Sequence, residues 1–388
     1  MIIDQALLTT FYLCHRKAYF SKDEIHQTGN FNFEADYNQI HLVAFADEMI
    51  DDEKNKALIL NRRSKSVRER HIIEAAFLSF VMNLRGERSK IVVNFLNGQK
   101  SIEPRDELIS MMINSIKESF EEPSPPAPSF SYACKGCPFY TDCIEISSKS
   151  QDLSLINGIG EKRKKTLLKA GFTDLKSISN ADPAIIASYT GIEFKEAKTI
   201  VKQATAISKF QLIPIEKPNL PKSDHEYFFD VEKSDEELYL FGIFHEGIYH
   251  SFILDIDDWE DQWKAFLEFI SKYPHAPIYH YDRFDRDVIQ KFADLSDMES
   301  KELVKRFVDL YAVVRRSLAM PVRFYSLKDV AGILGFKWKN PNFKGYDAMI
   351  ALGEWKKTKD QSIMKEILEY NEDDCVALKI LKEKLSDL

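Results

Sequence analysis

Apolar runs that end in acids, and helices whose polar groups recur at helical spacing, organise the last part of the chain. The run Phe228-Phe229-Asp230-Val231-Glu232 predicts a strand. Side chains alternate along a strand, so Asp230 and Glu232 project from one face while Val231 packs behind. The stretch Met364 to Lys384 predicts a helix, on which Tyr370 and Asp374 stand one turn apart on a shared face. Between these, Ile278-Tyr279-His280-Tyr281-Asp282-Arg283-Phe284-Asp285 predicts a short apolar strand, a turn and a charged helix start that offers Asp285 as a third acid position. Further upstream, Ala57-Leu58-Ile59-Leu60 reads as a strand and the segment from about Arg68 as a helix.

Asp230, Glu232, Asp285 and Asp374 brought to one point would repel strongly unless cations neutralised them. Two divalent ions about 4 Å apart are the usual arrangement for phosphoryl transfer. Magnesium, or manganese in its place, suits carboxylates, water and phosphate oxygens. Tyr370 would help to orient the attacking water, and the reaction would be phosphodiester hydrolysis. In a chain that is 29% charged, an isolated Asp-x-Glu or Tyr-x-x-x-Asp arises readily by chance. The weight rests on the order and spacing of the motifs and on their position after apolar runs.

These residues carry a resemblance. From about Glu226 to the C-terminus the chain resembles the DEDD exonuclease superfamily, tyrosine subgroup, in the form of the YprB-type RNase H-like domains. The text that carries it is Phe228 to Glu232, His280 to Asp285, Val308-Asp309-Leu310, Ser326 to Val330, and Tyr370-Asn371-Glu372-Asp373-Asp374-Cys375. The resemblance implies a mixed sheet flanked by helices, two metals and 3′ to 5′ hydrolysis of a nucleic acid end. It also implies Asp230, Glu232, Asp285 and Asp374 as metal ligands. Asp282 and Asp373 compete for the last two positions; Asp285 follows the phenylalanine and Asp374 keeps the spacing from Tyr370. Asp309 is an accessory acid or a helix cap.

The chain has 388 residues, 44% of them hydrophobic, and a net charge of -8, enough for two or three domains with their own cores. No run of eighteen apolar residues and no basic leader before an apolar stretch occurs, so a soluble, cytoplasmic protein without membrane partners is expected. Charge is unevenly spread: from Gly158 to Lys209 ten Lys or Arg face five Asp or Glu, a net of +5. In Asn157-Gly158-Ile159-Gly160-Glu161-Lys162-Arg163-Lys164-Lys165, Gly158 and Gly160 permit a tight hairpin, and the next helix would turn free N–H groups toward a phosphate. Gly171 stops that helix. A second copy starts at Ala181-Asp182-Pro183, with Tyr189-Thr190-Gly191-Ile192 in the hairpin position. The segment resembles a tandem helix-hairpin-helix module, which implies a grip on the DNA backbone, with Lys162, Lys164 and Lys165 as phosphate contacts. Some members of that family serve protein partners instead. Glu193 stands where another glycine is common, so the first hairpin is the stronger candidate.

Five cysteines occur, four of them as Cys14 and the group Cys134, Cys137 and Cys143. In a cytoplasmic chain this spacing points to metal thiolates rather than disulfides. The opening Phe11 to Phe20 resembles that of the RecB-like iron-sulfur nucleases, which implies a [4Fe-4S] cluster on the four cysteines; zinc is the alternative. Cys375 reads as a small buried residue. The same resemblance breaks at the expected catalytic motif. Asp47 fits the first acid, but Asn61 and Arg63 stand for the next acid and the lysine, and Ile73 and Phe77 for a glutamine and a tyrosine. Asparagine cannot neutralise a divalent ion, nor can arginine give up a proton near neutral pH, so this domain is expected not to cleave.

The expected architecture is therefore α/β and multidomain: a degenerate RecB-like α/β domain over 1–147 with the four-cysteine cluster, an all-α helix-hairpin-helix module over 150–208, and an RNase H-like DEDDy domain over 223–388. A proline-rich arm at Glu121 to Pro128, a polar hinge at Ser147 to Leu153 and a stiff linker from Leu212 to Lys222 would join them. The expected function is a metal-dependent nuclease, a 3′ to 5′ exonuclease on DNA. The alternative is a non-cleaving nucleic-acid-binding scaffold or partner-recruiting protein in DNA repair or defence.

Overall fold

The computed structural model describes residues 1–24, 29–52, 55–134, 136–296 and 300–388. The chain divides into two compact units, Met1–Ser150 and Gln151–Leu388, and both mix helices with sheets.

In the first unit β1 (Ile2–Asp4), α1 (Gln5–Leu13), α2 (His15–Phe20), β2 (Phe31–Tyr37) and β3 (Ile40–Ala46) precede β4 (Glu48–Asp52), β5 (Asn55–Arg62), α3 (Glu69–Leu84), β6 (Lys90–Phe95), β7 (Gly98–Ile102), α4 (Asp106–Glu121) and α5 (Tyr140–Lys149). Two sheets form, ordered β1-β3-β2 and β4-β5-β6-β7. Helix α3 is apolar nearly all round, and Ile73, Phe77, Leu78 and Val81 are fully enclosed in the core shared by these elements. Asp4 starts α1 by accepting the Leu7 N–H at 2.6 Å, a cap that satisfies one of the helix's open donors.

The second unit begins with short helices: α6 (Glu161–Lys169), α7 (Leu175–Ser179), α8 (Pro183–Thr190) and α9 (Phe194–Lys209). Gly158 takes φ +88 in the first hairpin and Gly171 φ +89 at the end of α6, conformations that favour glycine. Gly160 departs from expectation. It is extended, with φ -90, and serves as the N-cap of α6, so Gly158 alone makes the left-handed bend. Asp182 caps α8, with Pro183 in the first turn.

The remainder holds β8 (Ile213–Pro214), β9 (Tyr227–Lys233), β10 (Leu238–His245), β11 (Ile248–Asp255), α10 (Glu260–Ser271), β12 (Ile278–His280), α11 (Arg283–Leu295), α12 (Ser300–Lys305), β13 (Phe307–Asp309), α13 (Leu310–Ser317), β14 (Leu318–Ala319), α14 (Leu327–Ile333), α15 (Gly345–Thr358) and α16 (Gln361–Ser386). The five-stranded sheet runs β11-β10-β9-β12-β13; β9, β10 and β11 pair antiparallel, whereas β12 is parallel to β9 and β13. Alternation along β9 sorts its residues. Tyr227, Phe229 and Val231 pack with Phe266 of α10 and Phe292 of α11, whereas Phe228 joins Leu378 and Leu381 of α16 on the other face. Asp230 and Glu232 therefore point toward α16.

Two expected connections differ. Ser147 is buried within α5, so the polar hinge starts only after Lys149. The stiff linker is partly a strand: Ile213 and Pro214 pair with Ala319 and Leu318, and Leu212 and Leu220 pack against the sheet's core. Two side chains also tie the hairpin helices down, Gln203 donating to the Val322 carbonyl at 3.0 Å and Asn157 to that of Arg323 at 3.1 Å. Among the described residues no helix is long and apolar enough to cross a membrane.

Candidate functional site

β9 and α16 bring Asp230, Glu232 and Asp374 together, with one carboxylate oxygen from each inside a 4.8 Å span. Glu232 is buried and Asp230 half-buried. Asp285 enters from the first turn of α11, buried, and accepts the Tyr281 N–H at 3.3 Å. It lies outside the tight group of three but is near enough to act on their charge. Burial, then the charges of Asp374 and Asp285, push Asp230 well above the usual carboxylate range. Glu232 rises through burial and the charges of Asp230 and Asp374, and Asp285 chiefly through burial. Asp374 is pushed up to about 6 by burial, against hydrogen bonds from Trp338 and Tyr370 and the nearby Lys328 ammonium. Burial and crowding make these acids harder to ionise, a cost that a bound cation would offset.

The competing acids face elsewhere. Asp282 is exposed, and its carboxylate accepts the N–H of Arg283 at 2.8 Å. Asp373 is buried against the Lys339 N–H at 2.6 Å. Asp309 caps α13, accepting the Tyr311 N–H at 2.9 Å, and also takes the Asp282 N–H at 3.0 Å. Tyr370 donates its hydroxyl to Asp374, and burial beside these acids raises its pKa. Cys375 is enclosed next to Asp374, its thiol pushed up mainly by burial.

Several residues around the acids escaped the sequence reading. Asn371 donates to Asp230 Oδ2 at 2.7 Å and accepts the Tyr249 hydroxyl at 2.7 Å. Trp338 donates its indole N–H to Asp374 Oδ1 at 2.7 Å. Each carboxylate thus has one oxygen fixed by a neutral donor, the outer arrangement that orients metal ligands. His280 is fully buried with its Nδ1 3.7 Å from Asp285 Oδ2, and burial lowers its pKa. Gly242 lies directly across from Asp230 in the β9–β10 ladder. A Cβ there would stand 1.6 Å from Asn371 Oδ1, so the absent side chain is the space Asn371 fills. A glycine inside the apolar run Leu238 to His245 was the one available signal.

In the hairpin module Lys162 is exposed at the start of α6, and Lys165 pairs with Glu161 at 2.6 Å on the surface. Lys164 differs from expectation. Its ammonium is bound to Asp152 at 2.5 Å with both groups largely covered, and although burial opposes it, this contact and the Ser154 hydrogen bonds hold Asp152 below its ordinary pKa. Lys164 is a fastener of the module rather than an open phosphate contact. Arg163 is tied to the Gly158 carbonyl at 2.8 Å and to Glu196 at 2.6 Å.

In the first unit the four cysteines are half-buried thiols outside any disulfide. Cys14 sits between α1 and α2, its sulfur 3.4 Å from the Lys17 N–H, and Cys134 Sγ is 3.5 Å from the Ser131 N–H. Burial raises the Cys143 thiol, with Cys14 and Cys137 adding and Arg16 opposing. At the other expected centre, Asp47 accepts the Asn61 N–H at 2.7 Å and the Arg62 guanidinium at 2.9 Å, which also binds Glu74 at 2.6 Å. Arg62, rather than Arg63, fills the space between the acids. Ile73 and Phe77 point into the core.

Residues 227–386 match the family model of the RNase H superfamily, and residues 150–206 match that of the SAM-like helix-hairpin-helix tandem. The chain therefore carries an RNase H superfamily domain of nuclease-type fold, preceded by a helix-hairpin-helix module of a nucleic-acid-binding class. No curated protein and no solved structure matches it.

Proposed function

We propose that this chain is a divalent-metal-dependent nuclease whose C-terminal domain hydrolyses phosphodiester bonds, in the 3′ to 5′ direction on DNA. The observation that carries the reading is the convergence of Asp230, Glu232 and Asp374 within 4.8 Å on a family fold that belongs to nucleases. These acids, with Asp285, would hold two Mg2+ or Mn2+ ions; their hard oxygens and mutual repulsion fit such ions. When bound, the ions supply an activated water and neutralise the leaving oxygen. The protein's own groups set the frame. Asn371 and Trp338 fix one oxygen each of Asp230 and Asp374, and Tyr370, hydrogen-bonded to Asp374, stands ready to orient the water. The hairpins would hold the DNA backbone through α6, with Lys162 and Lys165 open to phosphates.

In this reading the units are a non-cleaving N-terminal domain over 1–147, the hairpin module over 150–208 and the nuclease domain over 223–388. The Arg62 guanidinium between Asp47 and Glu74 supports the loss of cleavage in the first, since a fixed cation occupies the place where carboxylates would gather a metal. Cys14, Cys134, Cys137 and Cys143 would hold a [4Fe-4S] cluster. Tetrahedral zinc on the same four thiolates is the alternative. Anaerobic purification should give brown protein with about four irons per chain; colourless protein loaded with zinc would overturn the assignment.

Cleavage of 3′-labelled single-stranded DNA with Mg2+ tests the main reading. Asp230→Ala and Asp374→Asn should each abolish it with the fold retained. Full activity in both would remove the site, and no product from the native chain on single-stranded, duplex or hybrid substrates would leave a binding scaffold.

A further inference from the structure

A second gathering of metal-binding side chains lies toward the start of β9. His225 precedes that strand, His245 ends β10, and Glu246 opens the turn into β11; one ligand atom from each falls within 4.8 Å of the others. Antiparallel pairing explains the meeting, because Phe244 lies across from Phe228 and the residues beyond β10 return beside those before β9. Asp230 lies five positions beyond His225, about 16 Å along an extended strand, so the group is separate from the carboxylate site.

The tautomer of His245 follows from its neighbours. Its Nδ1 is 2.9 Å from the Glu226 carbonyl oxygen, which can only accept, so Nδ1 carries a proton and, in the neutral ring, Nε2 carries the lone pair. Nε2 is buried without a hydrogen-bond partner and faces Glu246 Oε1 at 3.8 Å. In the neutral ring this enclosed lone pair meets a carboxylate oxygen with no donor between them, a juxtaposition that a bound cation resolves. His225 Nδ1 stands 2.8 Å from the same oxygen. Both rings are held by aromatic walls, His225 stacked on Tyr273 at 3.5 Å and His245 on Tyr227 at 4.5 Å between centroids. A histidine whose far N–H is held by a backbone carbonyl is already oriented as a metal ligand.

We propose that His225, His245 and Glu246 form a site for a borderline transition ion, with Zn2+ as its natural occupant. Two imidazoles and one carboxylate leave a fourth position for water, and the nitrogen ligands select against Mg2+. Bound there, the ion fastens the β10–β11 turn, where Glu246 and Gly247 take φ +49 and +84, to the segment entering β9. This site is independent of the nuclease reading.

The test is Co2+ and Zn2+ titration of the full chain. Thiolate binding of Co2+ gives a strong near-ultraviolet sulfur band, whereas this site gives visible ligand-field absorption without it. The native chain should show one equivalent of the latter, absent in His245→Ala. His225→Ala and Glu246→Gln, which alter less enclosed groups, should keep the fold and weaken Zn2+ binding at least tenfold. Identical Co2+ spectra and Zn2+ affinities in the native chain and all three variants would overturn the proposal, as would only the sulfur band in the native chain.

Discussion

Replacing Gly242 by alanine asks whether Asn371 truly spans the gap between β10 and Asp230. The new Cβ would lie 1.6 Å from Asn371 Oδ1, 2.8 Å from its Cγ and 2.9 Å from Tyr249 Cε2. Ordinary contact begins near 3.4 Å, so the amide must move by about 1.8 Å. Asn371 is fully enclosed in the middle of α16 and has nowhere to retreat. Overpacking costs about 1–3 kcal/mol, and loss of the acceptor for the Tyr249 hydroxyl about 1–3 kcal/mol more. At roughly 2–4 °C per kcal/mol for a unit of this size, Tm should fall by on the order of 10 °C. Asp230 loses its tether, and a displacement near 1 Å lowers turnover about 10²-fold. Calorimetry and single-turnover cleavage with saturating Mg2+ read the two effects separately. A Gly242→Ala protein with native Tm and native turnover would refute the tether. Gly353→Ala is the matched control: its Cβ would meet Ser234 Cβ at an ordinary 3.7 Å, and within a helix the change should be neutral or stabilising by about 0.5–1 kcal/mol.

Three further outcomes follow from the same geometry. Because the folded-state pKa of Asp374 is raised to about 6 from 3.8, its contribution to stability is present below pH 3.8 and lost as pH rises through about 6; Asp230, Glu232 and Asp285 move the same way. Thermal melts in chelator should therefore show falling Tm across this window, and Mg2+ should restore it; a flat profile would count against the crowded acids. Trp338→Phe removes a hydrogen bond that lowers the Asp374 pKa, so the acid limb of the cleavage profile should shift to higher pH, and an unmoved limb would show the contact to be idle. Lys162→Ala should reduce the salt slope of DNA binding by about one phosphate contact with Tm unchanged, whereas Lys164→Ala should lower Tm by releasing Asp152; the reverse pattern would reassign the two lysines.

That Asp230 and Glu232 share a face, and that Tyr370 stands over Asp374, was legible because strand and helix periods are local properties of the chain. The groups around them were not. Asn371 reaches Asp230 and Trp338 reaches Asp374 only after strands and helices distant in sequence have packed, and no period announces such a partner. The segment Ile213-Pro214 reads in the sequence as the start of a stiff linker, yet a two-residue edge pairing accommodates its proline. Lys164 looked like its neighbours in a basic run until Asp152, upstream of the hairpin, claimed it. At the N-terminal motif, Arg62 rather than Arg63 meets Asp47, a shift of one residue that reverses the face of a strand.

Under the proposed function, the pairing of β8 with β14 has a consequence for how the second unit would handle a nucleic acid strand. A flexible tether would let the hairpins and the carboxylates sample many separations, and each productive alignment would be diluted by the others. Here β8 follows α9 directly and is sewn to β14, while Gln203 and Asn157 hold the same region from the side. A strand gripped by the hairpins would accordingly meet the acids at one offset. Processing would then stall at a set remnant length, making the unit a gauge as well as a blade.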